Sequence, residues 1–479
     1  MTGPRRWLTG FFIVVGYNGF TLFGATLVTL SAGAICLLLI LGAIGIAKSA
    51  YLGILTFLVL PVIFVGGLLL IPIGVLWQRK HGGLVARDDS AGPYPVLDFN
   101  KRRVRSVAET IAVLTFINIL IISVVTYEGV HYTESVPFCG QVCHTVMEPE
   151  FTAYSDSPHS RVACVDCHIG PGAPWFVKSK LSGVRQVFAV LLDTHARPID
   201  TPVENLRPSR DTCEQCHRPE KFSGDRLRVI PKYSEDEENT KIYNLLLMHI
   251  GGGHGEGKGI HSWHIAQGRK TEYLPTDEDR QEIPYVRVTE ADGTVREYLS
   301  SESELTKEQI AGMELRQMDC IDCHNRPTHI FEMPGPAIDR GMEQGLIDVT
   351  LPGIKLAGRE ALELAGAEDG NVDMIADHVR AHFRDSFPEV LQDRPEDVDQ
   401  AIATLEDIYR RNVFPAMKLT WGSYINNLGH EVFDGCFRCH DDGHATASGE
   451  VIRQDCDLCH ALLAWEEEEP AVLAELGID

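Results

Sequence analysis

The 479-residue sequence predicts a mainly α-helical chain with many loops, in which three transmembrane helices precede a large extramembrane region. Three observations predict it. Long apolar runs are confined to the first 127 residues, the charge changes sign at the same point, and twelve of the 13 cysteines lie beyond residue 138.

From Gly19 to Trp77 the one charged residue is Lys48. A span needs about 20 apolar residues, so this stretch accommodates two helices, at about 21–46 and 50–77 with a tight turn at Lys48-Ser49. Pro61 and Pro72 fall in the second, where neighbouring helices can satisfy the backbone groups that a kink frees. A third span follows at about 107–127. Arg5-Arg6 precede the first span, but the apolar run is long and lacks a small-residue cleavage site, which reads as an anchor. Cys36, inside this span, reads as a small packing residue.

Residues 1–127 carry 10 Lys+Arg against 4 Asp+Glu, and the remainder carries 33 against 63, giving +6 and −30. Seven of those cations, Arg79, Lys80, Arg87, Lys101, Arg102, Arg103 and Arg105, crowd the link between spans two and three. The positive-inside rule therefore places the N-terminus and this loop in the cytoplasm, and everything after about residue 128 outside. The acidic sum excludes nucleic acid as a partner, since phosphate binding needs clustered cations.

Five pentapeptides repeat one pattern: Cys164-x-x-Cys167-His168, Cys213-x-x-Cys216-His217, Cys320-x-x-Cys323-His324, Cys436-x-x-Cys439-His440 and Cys456-x-x-Cys459-His460. C-x-x-C-H is the attachment signature of c-type haem: two thiols form thioethers, and the adjoining histidine gives the iron one axial nitrogen. Chance supplies roughly 0.01 such motifs in a chain of this composition. A sixth site, Cys139-x-x-x-Cys143-His144, is one residue longer and reads the same way. The sequence thus predicts six covalently bound haem c groups, and a multihaem c-type cytochrome domain with a haem-dominated core. Its segments are the anchor (1–127), a triheme stretch (128–224), a polar insert with a His-rich loop (225–315) and a C-terminal triheme region (316–479) containing a helical insert (335–415). Strand is expected near Tyr285–Val288.

Bis-histidine ligation would need six further histidines. The candidates are His159 before the second motif, His195 after the apolar run 187–192, the neighbours His261 and His264, His329 after the fourth motif and His430 before the fifth. His254 sits in a glycine-rich loop. His378 and His382, four apart on an expected helix, read as a solvated face.

With three spans leading into this series, the chain resembles the NapC/NirT family of membrane-anchored multihaem quinol dehydrogenases, above all the larger inner-membrane cytochromes of bacteria that respire extracellular acceptors. The resemblance rests on PFCGQVCHTVMEPEFTAYSDSPHSRVACVDCHIGPG, WFVKSKLSGVRQVF, RPIDTPVENL and TCEQCH within 137–222, and on MKLTWGSYINNLGH before the fifth motif. It implies a periplasmic haem domain on the bacterial inner membrane that oxidises menaquinol or another quinol and passes electrons to a periplasmic acceptor, another cytochrome or a reductase. Smaller members have one span, and their first site reads C-x-x-C-H-x-Met with Met as ligand. Here both gaps are one residue longer, which leaves Met147 an open candidate. The family places a Lys and an acidic residue at its quinol pocket, which favours Lys178 or Lys180 with Asp156 or Glu148.

Cys139 follows the third span within a dozen residues, so haem 1 lies where a lipid-borne quinol reaches it. Two other readings stand beside quinol oxidation: a relay subunit docked to a larger respiratory complex, and a terminal multihaem reductase with one open iron. The supply of spare histidines and an anion-repelling −30 charge count against the reductase.

Overall fold

The computed structural model describes residues 19–43, 50–81, 98–203, 207–222, 224–251, 259–266 and 268–478. The turn at Lys48-Ser49, the last residues of the first expected span, Arg87 of the basic loop and the His254 loop lie outside the described residues, as does the side chain of His144. The chain divides into two compact units, 1–143 and 144–479.

In the first unit, helix α1 (Gly19–Ala43) packs on a helical run made of α2 (Ala50–Ile54), a π turn (Leu55–Val59) and α3 (Leu60–His81). The wide turn falls just before Pro61, whose ring would clash with the carbonyl four residues back in a regular helix. A Cβ at Gly24 would stand 2.8 Å from the Gly67 carbonyl oxygen, and one at Gly67 2.9 Å from that of Gly24. These two glycines let the backbones meet, the usual route to helix association in lipid. Helix α4 (Arg102–Thr133) adds Val125 to a core with Ile35 and Phe64. All three runs are long and apolar enough to cross a membrane.

The third expected span, 107–127, is shorter than its helix. With 32 residues α4 is about 48 Å long, against roughly 30 Å of hydrocarbon. Helix geometry does not end at the edge of the apolar run, so α4 continues through Glu128 and His131. Cys139 then lies in a π turn (Phe138–Val142) five residues after Glu134 caps the helix. Tyr132, near the end of α4, stands 5.2 Å from the rings of both Phe57 and Phe138.

The second unit begins with α5 (His144–Ser155), α6 (Cys164–His168), α7 (Ala173–Leu191) and α8 (Ser209–Cys213). Strands follow: β1 (Arg226–Tyr233), β2 (Lys241–Met248), then α9 (Ile260–His264), β3 (Lys270–Leu274), β4 (Tyr285–Thr289) and β5 (Val295–Ser300). After α10 (Lys307–Ala311) come β6 (Arg316–Gln317) and α11 (Cys320–Cys323). Helices α12 (Pro334–Glu343), α13 (Ile354–Ala365), α14 (Asp373–Ser386), α15 (Pro388–Asp393) and α16 (Pro395–Asn412) fill the helical insert. Strands β7 (His444–Ala445) and β8 (His460–Glu467) and helix α17 (Ala471–Leu476) end the chain.

The strands form two antiparallel sheets, ordered β1-β2-β8 and β6-β3-β4-β5-β7. The polar insert is therefore a pair of sheets completed by strands from the C-terminal region. Only β4 was legible as strand, because its neighbours alternate weakly and pair with partners up to some two hundred residues away.

A haem-dominated core also needs an addition. The largest apolar cluster is made by protein alone, in the helical insert, where Ile338, Ile354, Leu362, Ile375, Phe383 and Leu405 are fully buried. Its helices carry apolar residues at helical spacing, as in Ile375, Val379 and Phe383. His378 Nε2 meets Glu360 at 3.3 Å and His382 Nε2 meets the Pro352 carbonyl at 3.1 Å, so both serve the scaffold. Leu405→Ala is expected to cost about 2–5 kcal/mol, read as a lower denaturant midpoint by far-ultraviolet circular dichroism. An unchanged midpoint would show that this cluster does not hold the unit together.

Candidate haem centres

Four of the five regular motifs lie on a short helical segment. The second motif is one turn of helix, Cys164–His168, and the fourth begins one, Cys320–Cys323. The fifth and sixth use 3₁₀ turns, Gly435–Arg438 and Cys456–Leu458. Positions i and i+3 of such a turn share a face, so both thiols could reach one porphyrin. None of the thirteen cysteines is in a disulfide.

Tertiary contacts hold these turns together. Asp319 caps the fourth motif, its Oδ1 accepting from Cys320 N at 2.6 Å, while its Oδ2 accepts from Ser209 N at 3.0 Å at the head of α8. Asp322, between the cysteines of the fourth motif, is almost fully buried. It accepts from Tyr273 Oη at 2.7 Å, Arg316 Nε at 2.8 Å and Asp319 N at 2.7 Å, with Arg280 Nη1 at 3.4 Å. Arg438, inside the fifth motif, donates to the Asp322 carbonyl at 2.7 Å. Motifs three, four and five are thus tied into one frame.

The histidines then pair. His168 faces His329 with ring centres 6.3 Å apart, and His217 faces His159 at 6.0 Å. His324 faces His261 at 6.4 Å, His440 faces His264 at 5.9 Å, and His460 faces His430 at 6.2 Å. Two metal–imidazole bonds of about 2.0 Å each, plus the distance from each nitrogen to its ring centre, sum to about 6 Å. Five motif histidines therefore each meet a different one of the six candidate histidines, at the separation of two axial ligands on one metal.

The other nitrogen of these rings is occupied in a consistent way. Nδ1 of His159, His261, His264 and His329 lies against the carbonyls of Pro327 (3.2 Å), Ile250 (3.2 Å), Ile260 (2.6 Å) and Glu150 (2.9 Å). Donation from Nδ1–H to a carbonyl leaves Nε2 as the lone-pair nitrogen, the arrangement metal-ligating histidines use. Burial pushes His168 and His264 down to about 4, so both rings are neutral and able to ligate at physiological pH.

His195 is the sixth candidate. Its side chain is 11% exposed, and neither ring nitrogen has a hydrogen-bond partner among the described residues. Such an orphaned buried imidazole fits a ligand whose metal supplies the missing partner. Val190 and Ile199 on either side of it pack against the apolar cluster that contains Val146 of α5, the helix that begins at His144. Met147 sits one turn after His144 on that helix, so positions 144 and 147 share a face.

The four residues expected at a quinol pocket lie on or beside two helices, Lys178 and Lys180 on α7, Glu148 on α5 and Asp156 just past its end. Lys178 Nζ lies 4.8 Å from the Trp175 ring centre and Lys180 Nζ 4.9 Å from that of Phe176, both along α7. Asp156 is held by Arg340 at 3.1 Å and Arg411 at 3.2 Å, lining a cavity with Glu332, while Glu148 is exposed on α5. Burial raises the Glu332 carboxyl against the pull of these arginines.

Sequence reasoning misses Asp322 and Arg326, and reads Glu150 only as one of the acids after the first motif that could accept a quinol proton. No periodicity marks them; a carboxylate between motif cysteines is the single signal for Asp322, shared with Asp166, Glu214 and Asp457.

Motif cysteines on one-turn segments, facing histidine pairs and three membrane-capable helices define a class: membrane-anchored multihaem c-type cytochromes. Comparison with known proteins agrees. Residues 101–223 match the NapC/NirT cytochrome c family, N-terminal region. The chain is 43% identical over 456 residues to the cytochrome c-type protein ImcH of Geobacter sulfurreducens, covering 94% of this chain and 89% of that protein. It is 34% identical over 103 residues to the cytochrome c-type protein TorC of Escherichia coli K12, covering 20% of this chain and 25% of TorC. The chain belongs to the NapC/NirT family of c-type cytochromes. No solved structure matches it.

Proposed function

We propose that this chain is a hexahaem quinol dehydrogenase of the bacterial inner membrane, with its haem region on the periplasmic side. It oxidises menaquinol at haem 1 and relays electrons to a periplasmic acceptor. The observation that carries the reading is the set of five facing histidine pairs, together with a first motif that begins five residues after the cap of a membrane-capable helix. Saturated axial ligation suits electron transfer rather than substrate binding, which argues against a terminal reductase.

When bound, the haems supply one-electron carriage. His168 with His329, His217 with His159, His324 with His261, His440 with His264 and His460 with His430 would hold five irons. His195 is left for the first iron, with His144 or Met147 as its counterpart. Oxidising a quinol releases two electrons and two protons. Glu148, exposed near the start of α5, is better placed to take a proton than Asp156, which two arginines hold. Lys178 and Lys180 supply positive charge for the quinol oxygens.

Detergent-purified, fully haem-loaded protein is expected to be reduced by a menaquinol analogue. The Lys178→Ala, Lys180→Ala double variant should react more slowly by on the order of 10²-fold. Protein that menaquinol leaves oxidised, while dithionite reduces every haem, would sink the dehydrogenase reading. A double variant reduced at the parent rate would remove the lysines from the site.

A further inference from the structure

We propose that Glu150 is a positioning residue that sets the reduction potential of the haem attached at Cys164 and Cys167, acting through His329. The inference rests on the reading that His168 and His329 are the two axial ligands of that iron. The Glu150 carbonyl oxygen lies 2.9 Å from His329 Nδ1, and the Glu150 Oε2 lies 3.1 Å from the same nitrogen. The carbonyl is the hydrogen-bond acceptor of this ring, and the carboxylate oxygen beside it is buried without a hydrogen-bond partner among the described residues.

Of the five facing rings outside the motifs, His329 is the one with a carboxylate within 4 Å among the described residues. The others whose Nδ1 contact is described use backbone carbonyls. The Glu150 side chain is 13% exposed, where a charge is weakly screened. A buried negative charge 3.1 Å from the ring nitrogen, on an oxygen unshared with any hydrogen-bond donor, favours the ferric state electrostatically.

The opposing charge is also in place. Arg326, 8% exposed, brings Nη1 to 3.4 Å from Glu150 Oε1, and its guanidinium lies 3.7 Å over the Tyr424 ring. Glu150 sits six residues after His144 on α5, so one helix joins the first haem site to the tuning of the second.

The test is a spectroelectrochemical titration of the haem-loaded protein, with electron paramagnetic resonance to follow individual irons. Glu150→Gln should raise the potential of one haem by at least a tenfold change in its ferric-to-ferrous ratio, about 59 mV, and leave the others in place. Glu150→Asp should keep the parent value, and Arg326→Gln should move the same haem the opposite way. Unchanged potentials in fully loaded Glu150→Gln, or an aspartate variant that shifts like the glutamine one, would overturn the proposal. If Glu150→Gln fails to load its haem, the direction of Arg326→Gln decides: a downward shift supports the assignment and no shift overturns it. His329→Met separates the two readings. Unchanged low-spin signals there would reject the ligand assignment, whereas altered signals beside an inert Glu150→Gln would reject this inference alone.

Discussion

Alanine in place of Asp322 is expected to cost the folded protein about 3–5 kcal/mol, the loss typical of breaking a buried charge pair from one side. The carboxylate is enclosed by Arg316, Arg280, Tyr273 and the Asp319 amide, and its removal leaves two partly buried guanidinium groups without their anion. Burial and this carboxylate together push the Tyr273 phenol well above its usual range, so the hydroxyl stays a donor at any working pH. Asp322 also stands inside the fourth motif, where its Oδ2 completes the capping of the turn that presents Cys320 and Cys323. The variant should therefore combine a lower denaturation midpoint with incomplete attachment of one haem. Both are measurable, by chemical unfolding and by pyridine haemochrome counting against protein mass. Asp322→Asn, which keeps the shape and one acceptor, should lose less. An alanine variant with the parent midpoint and full haem content would show that the network is dispensable.

The second large effect concerns His264. Its ring is buried, its Nδ1 is held 2.6 Å from the Ile260 carbonyl, and it faces His440 at 5.9 Å. His264→Ala should convert one haem of the set from low-spin to high-spin and raise carbon monoxide binding above that of the parent protein. The remaining haems should keep their spectra, because each of the other four described pairs draws on different histidines. A variant with the spin state and carbon monoxide binding of the parent would assign the ligand elsewhere. His261→Ala should behave in the same way at the haem of the fourth motif, and the two effects should be separable by electron paramagnetic resonance.

Much of this protein was readable before any coordinate. The five C-x-x-C-H motifs, the three apolar runs and six histidine candidates follow from local spacing, and local spacing survives folding unchanged. Which histidine meets which motif does not follow from spacing. His329 stands five residues after His324 yet faces His168, while His159 stands five before Cys164 yet faces His217. Proximity in the chain would have paired each with its neighbouring motif, which is not the ring it faces.

The same division holds for the scaffold. Helices α12 to α16 were legible from their 3.6-residue apolar period, whereas the sheets depend on pairings such as β2 with β8 that link Leu246 to Leu462. The sequence by itself determined the chemistry: where thiols attach, which segments enter lipid, and that the basic anchor and the acidic carrier divide near residue 127. Only the tertiary structure decided the wiring, through contacts between residues far apart in the chain. Axial pairs, the Asp322 network and the hold of Glu150 on His329 all need two side chains to meet from separate segments. No pattern along one segment encodes that meeting.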